Sequence, residues 1–161
     1  AVIPGAWRPI GSDNRGRQFA SAHVESIAQA AEVFAPGGQG FGLFIAIEGG
    51  GVEIEAVAAF AEHAMNCGCA AVSIWGTDCE RYHDIFDEVA LAQSLATGRP
   101  GVLMTTWHAE ESLQDALTFY ILWACVDEEF APPPNHWLIL SIGNAAGAAV
   151  VDGLASLLLR N

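Results

Sequence analysis

A cysteine and a histidine follow two successive apolar runs of the chain and could act together. Cys79 comes directly after Asp78, where a helix is predicted to begin, and His108 follows the next apolar run. The positive end of a helix lowers the pKa of a thiol, and a nearby imidazole can accept the thiol proton. The pattern predicts a catalytic Cys79 with His108 as base and Asp78 or Glu110 orienting the imidazole. The alternative is a small buried cysteine at a helix start.

Carboxylates at the same positions offer a second chemistry. Glu48 and Asp78 each follow an apolar run, and together with water they could hold Mg²⁺. A helix-capping Asp78 and a solvated Glu48 are the alternative interpretation. Cys67 and Cys69 are only two residues apart, which fits no zinc-binding spacing. We therefore predict no metal site and no cofactor, while Mg²⁺ binding at the acidic pair stays open.

Glu48 is followed by three glycines, Gly49 to Gly51, and then by a predicted helix. The order of strand, glycine turn and helix is that of a phosphate-binding loop. The spacing matches neither GxGxxG nor a P-loop, and Glu53 and Glu55 add negative charge that would repel a phosphate. A tight turn is therefore favoured over a phosphate site.

Apolar runs alternate with amphipathic segments along the chain. Short apolar runs are typical of buried strands, and apolar residues three and four apart are typical of helices. The predicted strands span residues 41–47, 69–75, 102–106 and 137–142. The predicted helices span residues 21–34, 52–65, 78–95, 112–126 and 145–159.

This alternation predicts repeated right-handed βαβ units. We expect an α/β fold, a three-layer α/β/α sandwich with a mostly parallel sheet of four or five strands, Rossmann-like or flavodoxin-like. Residues 1–20, with several prolines and glycines, are predicted to form an N-terminal arm that Trp7 and Phe19 pin to the body. Residues 21–161 are predicted to form a single α/β domain.

Open parallel sheets bind their ligands at the carboxyl ends of the strands. The polar and aromatic residues that follow the predicted strands are therefore expected to gather at one edge of the sheet. Beside the catalytic candidates, the predicted binding residues are Glu48, Gly49, Trp75, Thr77, Thr106, Trp107 and Asn144. Two tryptophans beside a crevice favour a binding surface, and two tryptophans at the margin of the core are the alternative.

The chain carries 19 acidic and 6 basic side chains, for a net charge of −13. The electric field of a negatively charged protein repels nucleic acids and anionic membranes and attracts a basic protein partner. The alternative is that the negative charge serves solubility alone. No apolar run reaches the roughly 20 residues that cross a bilayer, and no signal peptide is visible. Without a secretion signal the four cysteines are expected to be reduced, so we expect a cytoplasmic protein.

Three segments resemble small standalone bacterial proteins of unassigned function. They are Thr105-Thr106-Trp107-His108, Asp127-Glu128-Glu129-Phe130 and the run from His136 to Asn144. The resemblance covers roughly the second half of the chain. It implies a bacterial cytoplasmic protein and transfers no catalytic residue.

Two functions follow from these patterns. The favoured one is an acidic cytoplasmic binding protein of the immunity, antitoxin or regulatory type that engages a basic protein partner, because no complete catalytic motif is present. The alternative is a small hydrolase or transferase with its site at the strand ends, based on Cys79 and His108 or on carboxylates. A homodimer is a further possibility, since a short sheet leaves an edge strand to be covered.

Overall fold

The computed structural model of the chain describes residues 6–36, 39–98, 101–143 and 145–160. Within these ranges the backbone forms six strands and five α-helices. The strands are β1 (Arg8–Ser12), β2 (Gln18–Val24), β3 (Phe41–Ile47), β4 (Cys69–Gly76), β5 (Met104–His108) and β6 (His136–Ile142). The helices are α1 (Ile27–Ala30, continued by a 3-10 turn at Ala31–Val33), α2 (Ile54–Asn66), α3 (Cys79–Thr97), α4 (Leu113–Trp123) and α5 (Ala145–Leu159).

The six strands form one sheet in the order β1-β2-β6-β3-β4-β5. β1 is antiparallel to β2, and every other neighbouring pair is parallel. The prediction of a mostly parallel sheet is thereby confirmed. From β3 the chain moves outward to β4 and β5, and it then crosses back to insert β6 between β2 and β3.

Helices cover both faces of the sheet, which confirms the three-layer sandwich. The apolar faces of α1, α2 and α3 pack on one side with Leu43 and Ile45 of β3, and those of α4 and α5 pack on the other side with Phe44. All seven residues of β3 are buried because both of its faces meet a helix layer. In the described ranges no helix has the length and apolar character needed to span a membrane.

The helix predicted for residues 21–34 is wrong over its first part. Residues Gln18–Val24 form β2, which pairs in parallel with β6, and the helix is limited to the short α1 with its 3-10 continuation. Phe19 packs on the α4 side of the sheet, while Val24 packs on the α1 side. The alanines between Phe19 and Val24 fit the period of a strand as well as that of a helix. The sequence pattern therefore does not reveal that successive side chains of this segment alternate between the two faces of the sheet. With β2 and the N-terminal β1 added to the four predicted strands, the sheet has six strands instead of four or five.

The N-terminal segment belongs to the same sheet. The arm predicted for residues 1–20 contains β1 and the start of β2, which pair as a hairpin at one edge. Phe19 is buried, and the buried Trp7 donates a hydrogen bond from Nε1 to the Val33 carbonyl oxygen at 2.9 Å. Both aromatic side chains therefore anchor this segment to the layers on either side.

Candidate functional site

The carboxyl ends of β4 and β5 border a crevice. β4 leads into α3 on one face of the sheet, and β5 leads into α4 on the other face. In open α/β sheets, ligands bind where neighbouring connections diverge in this way. A cavity of about 460 Å³ lies at this point, lined in part by Gly76 at the end of β4 and by Ala109 directly after β5.

Charged side chains dominate the lining of this cavity. We call the group the acidic cleft; it consists of four carboxylates and one guanidinium, from Asp78, Glu80, Asp84, Glu110 and Arg81. Because acids outnumber the single arginine, the local field attracts cations and repels anions. The chemistry of the lining therefore favours a basic ligand.

Two residues of the acidic cleft hold an unusual backbone conformation. Asp78 has a φ of 58° and Glu110 a φ of 59°, and no other non-glycine residue in the described ranges has a positive φ. Aspartate enters the left-handed region more readily than most residues, whereas glutamate lacks that advantage. Such conformations are held against an energetic cost and concentrate at functional sites. Here each one turns the chain sharply between a strand and the following helix.

Cys79 and His108, the predicted dyad, lie on opposite faces of the sheet. Cys79 is at the start of α3, is only 2% exposed and belongs to the core on the α1–α3 side. The His108 ring lies 4.9 Å from that of Phe119 on α4. Cys79 and Asp78 line the same cavity, but among the described residues no hydrogen bond joins Cys79 to either His108 or Asp78, and His108 lies on the other face of the sheet.

His108 belongs instead to a chain of hydrogen bonds on the α4 side. Its Nδ1 lies 3.0 Å from Glu111 Oε2, and its Nε2 lies 3.1 Å from Thr106 Oγ1. The Thr106 hydroxyl donates to Ser73 Oγ at 2.8 Å. A carboxylate, an imidazole and a hydroxyl follow one another here as in the acid, base and nucleophile of hydrolases, but the Thr106 proton points to Ser73 and not to the imidazole.

A second histidine forms a comparable network on the α3 side. His83 is 7% exposed, and its Nε2 lies 2.9 Å from Thr105 Oγ1, which donates to Asp87 at 2.6 Å. The His83 Nδ1 lies 3.1 Å from Asp84 Oδ1, and the Trp107 ring lies 4.5 Å from the imidazole. Successive residues of β5 thus serve opposite networks, because side chains alternate across a strand.

The two predicted tryptophans differ in their exposure and contacts. Trp75 is partly buried and donates from Nε1 to the Glu111 carbonyl oxygen at 2.9 Å, which ties the end of β4 to the loop after β5. Trp107 is 44% exposed beside the acidic residues of α3. Trp107 is therefore the tryptophan that a partner could contact.

Glu48 lies at a second point where the chain leaves two neighbouring strands, β3 and β6, toward opposite faces of the sheet. Its carboxylate is placed against the first turn of α5, where a side chain on Gly147 would overlap it. A carboxylate at this position compensates the partial positive charge of a helix N-terminus. The Glu48 carboxylate thus covers the N-terminus of α5, which is a different helix from the one that follows Gly49 to Gly51, so the tight turn predicted there stays a prediction.

The remaining predicted binding residues that the structure describes lie near either the carboxyl ends of β4 and β5 or those of β3 and β6. Thr77 is exposed next to the glycine turn, and its Cγ2 lies 3.5 Å from the position that a Cβ on Gly50 would take. Thr106 belongs to the His108 network, and Asn144 lies outside the described residues. Of the two carboxylates considered for Mg²⁺, Glu48 faces α5 and Asp78 lines the acidic cleft. In the part of the chain that the structure describes, no group of three His, Cys, Asp or Glu side chains is placed to hold a metal ion.

The cysteines at the opposite end of the sheet are poor nucleophiles. Burial raises the pKa of Cys69 to about 12, and it raises the pKa of Cys67 as well. The Cys69 thiol donates to the Ala71 carbonyl oxygen at 3.5 Å. Both thiols therefore stay protonated near neutral pH.

Sequence reasoning missed most of the polar network around β5. Three residues, Ser73, Thr105 and Glu111, were not singled out, and three others, His83, Asp84 and Asp87, were interpreted as solvated residues on the surface of a helix. One local signal was present, because Asp87 follows His83 by four positions on a helix and Glu111 follows His108 by three. The contacts between strand and helix carry no such signal, since they depend on how α3 and α4 lie against β5.

The chain matches one family over most of its length. The family model describes a domain of unknown function, DUF7684, and it matches residues 23–157. No curated protein and no solved structure matches the chain. The resemblance to proteins of unassigned function is thereby confirmed, and the chain belongs to the DUF7684 family.

Proposed function

We propose that this protein is an acidic binding protein that engages a basic protein partner at the carboxyl ends of β4 and β5. The observation that carries the proposal is the acidic cleft, where four carboxylates and a single arginine line one cavity. The exposed Trp107 packs on His83, which in turn contacts Asp84 of this lining. A net charge of −13 extends the same field over the whole surface. Charge of one sign concentrated around an exposed aromatic side chain suits steered association with a partner of opposite charge.

The type of partner follows from the same features. A regulatory, immunity or antitoxin protein can act by covering a basic surface of its target, where the target has one, and the acidic cleft supplies the complementary charge. The thiols of Cys69, Cys79 and Cys125 are free, which suits the reducing cytoplasm of a bacterium. We therefore propose a cytoplasmic role in blocking or regulating a basic protein.

The proposal is tested by capture with matched variants. The cleft variant carries Glu80→Gln, Asp84→Asn and Glu110→Asn; asparagine is chosen at Glu110 because it tolerates a positive φ. The control variant removes the same charge elsewhere through Glu25→Gln, Glu32→Gln and Glu55→Gln, all exposed positions. Each protein is immobilised, exposed to native lysate of the source organism at low and high salt, and the captured proteins are identified.

We expect the wild type and the control variant to capture the same basic protein at low salt. With that protein purified, the cleft variant should bind at least tenfold more weakly, about 1.4 kcal/mol. Affinity should fall steeply with salt for the wild type. The proposal fails if no basic protein is recovered at any salt concentration, or if the two variants bind equally well.

A second candidate function is a small hydrolase, favoured by the hydrogen bonds from Thr106 through His108 to Glu111. In such a reaction the Thr106 hydroxyl turns its proton from Ser73 Oγ to His108 Nε2 and attacks an acyl carbon, and Glu111 stabilises the imidazolium. His108 then gives this proton to the leaving group as its bond to the acyl carbon breaks, and water hydrolyses the acyl-threonine in the same way. Hydrolysis of p-nitrophenyl acetate is the measurement. Activity that disappears in Thr106→Val and in His108→Ala, but not in Cys79→Ala, supports this candidate. Activity unchanged in Thr106→Val excludes it.

A further inference from the structure

The two edges of the sheet are protected to very different degrees. At one edge, β1 contains Arg8, Pro9 and Gly11, and its pairing with β2 is irregular between Pro9 and Gly11. A proline, a charged residue and an irregular register are the means by which natural sheets prevent further strands from adding. The β1 edge is therefore closed to another strand.

The opposite edge carries none of these protections. β5 runs Met-Thr-Thr-Trp-His from Met104 to His108 without a proline, a glycine or a charged residue, and it pairs with β4 without irregularity. In the described part of the chain no strand pairs with its outer side. Met104 is 40% exposed and Trp107 is 44% exposed along this edge. The outer backbone groups of β5 are thus a template for one more strand.

Negative charge surrounds this open edge. On the α3 side, the Asp84 and Asp87 side chains are 69% and 49% exposed, and Asp87 accepts a hydrogen bond from Thr105 in the middle of β5. Beyond the end of the strand lies Glu111, and before its start Asp127 Oδ2 accepts from the backbone N–H of Val102 at 3.3 Å. A strand added here meets acids at both ends and along one face.

We propose that the outer edge of β5 pairs with an extended basic segment of a partner protein, which adds a seventh strand to the sheet. This inference rests on the proposed function and specifies the partner's form. Side chains alternate across a strand, so every second residue of the segment faces α3. Arginine or lysine at these positions meets Asp84 and Asp87 and lies near the Trp107 ring, while apolar residues at the others pack beside Met104.

A second copy of the chain is a poor occupant of the same edge. Two β5 strands paired about a twofold axis would bring the acidic surroundings of one copy next to those of the other. Each copy carries a net charge of −13, and like charges placed across a strand pair are destabilising. The charge around β5 therefore selects a basic partner and opposes self-association.

The probe for this inference is a seven-residue peptide of alternating arginine and valine with blocked termini. Its control has the same side chains but a methyl group on every amide nitrogen, so it keeps the charge and cannot pair as a strand. Binding is measured by titration at low salt, and the contact is located by amide hydrogen exchange of the protein. We expect the unmethylated peptide to bind at least tenfold more tightly and to slow exchange within residues 104–108.

Two tryptophan variants provide a matched comparison. Trp107→Thr removes the exposed ring at the edge but keeps a residue favoured in strands, and Trp123→Thr removes a ring that is 70% exposed at the end of α4. Trp107→Thr should weaken peptide binding about fivefold, and Trp123→Thr should leave it unchanged. Both variants should keep the circular dichroism spectrum of the wild type.

The inference is overturned if the methylated peptide binds as tightly as the unmethylated one, or if neither peptide binds. It is also overturned if the peptide slows amide exchange only outside β5, or if the chain is a dimer whose β5 amides are protected without peptide. In each of these cases capture of a basic partner that depends on the acidic cleft would still stand, so the proposed function and the strand pairing fail separately.

Discussion

Single polar side chains in this protein are held by partners from distant parts of the chain. The buried Arg17 donates from Nε to Asp13 Oδ2 at 2.7 Å and from Nη2 to the carbonyl oxygen of Ile121 near the end of α4. Its guanidinium also lies over the Trp137 ring, 4.7 Å from the ring centre. Arg17 thus joins the N-terminal hairpin to the C-terminal end of α4, where carbonyl groups lack partners within the helix.

Asp13 provides a prediction with a defined pH dependence. Burial alone would raise the pKa of Asp13, but hydrogen bonds from Arg17 and Arg15 and the charge of Arg17 outweigh it and lower the pKa below the usual 3.8. Asp13→Asn should lower the free energy of unfolding by about 2–3 kcal/mol at pH 7, because a largely buried arginine loses its counter-ion. Urea unfolding of both proteins measures the difference.

The sign of the pH effect follows from the lowered pKa. The ionised Asp13 stabilises the folded state fully above the pKa of the unfolded chain, and this contribution is lost as the pH falls through the lower folded-state pKa. The difference between wild type and variant should therefore be constant from pH 7 to about pH 5 and shrink below about pH 4. A difference that persists unchanged at pH 3 would show that the charge of Asp13 is not its source.

At the scale of elements, close packing across the central strands leaves no room at one position. Gly42 of β3 lies opposite Trp137 of β6, and a Cβ on Gly42 would overlap the Trp137 ring. That ring is buried and already in contact with the Arg17 guanidinium and the Tyr120 ring. Glycine in the middle of a strand costs backbone entropy, and here the approach of the indole requires it.

Gly42→Ala should destabilise the protein by about 2–3 kcal/mol, because overpacking outweighs the gain in backbone entropy. Thermal and urea unfolding measure the change. The matched control is Gly11→Ala in β1, where the nearest atom to an added Cβ is Leu159 Cδ1 at 3.5 Å, an ordinary contact. If Gly42→Ala unfolds like Gly11→Ala, the packing of Trp137 against β3 is not as described.

The whole molecule carries charge of one sign far in excess of the other. With 19 acidic and 6 basic side chains, the folded state concentrates repulsion that the unfolded chain spreads out. Much of this repulsion acts between exposed groups and is screened by salt. The charge on which the proposed binding of a basic partner depends therefore reduces the stability of the isolated protein.

Raising sodium chloride from about 20 to 300 mM should raise the unfolding temperature by about 2–4 °C, equivalent to roughly 1 kcal/mol for a domain of this size. Differential scanning calorimetry at both salt concentrations gives the value. The variant with Glu25→Gln, Glu32→Gln and Glu55→Gln should show a smaller rise, because part of the repulsion is already removed. Equal rises in both proteins would point to a general salt effect instead.

The sequence by itself determined the fold class and most of the elements. The predicted strand at residues 41–47 and the predicted helix at 145–159 coincide with β3 and α5, because each is set by a local apolar pattern of the right length. The alternation of such patterns also determined that β3, β4, β5 and β6 run parallel, but not their order in the sheet. The edge where their trailing residues meet followed from the same alternation.

Only the tertiary structure decided which of those trailing residues meet. Cys79 begins α3 after β4 and His108 ends β5, yet Cys79 packs into the core on the α1–α3 side of the sheet and His108 packs against α4 on the other side. β2 was missed because its alanines fit two periods, and its pairing with β6 joins segments far apart in the chain. The face that a strand residue takes depends on register and on which helix covers it, and both are set by contacts between distant segments that no local pattern records.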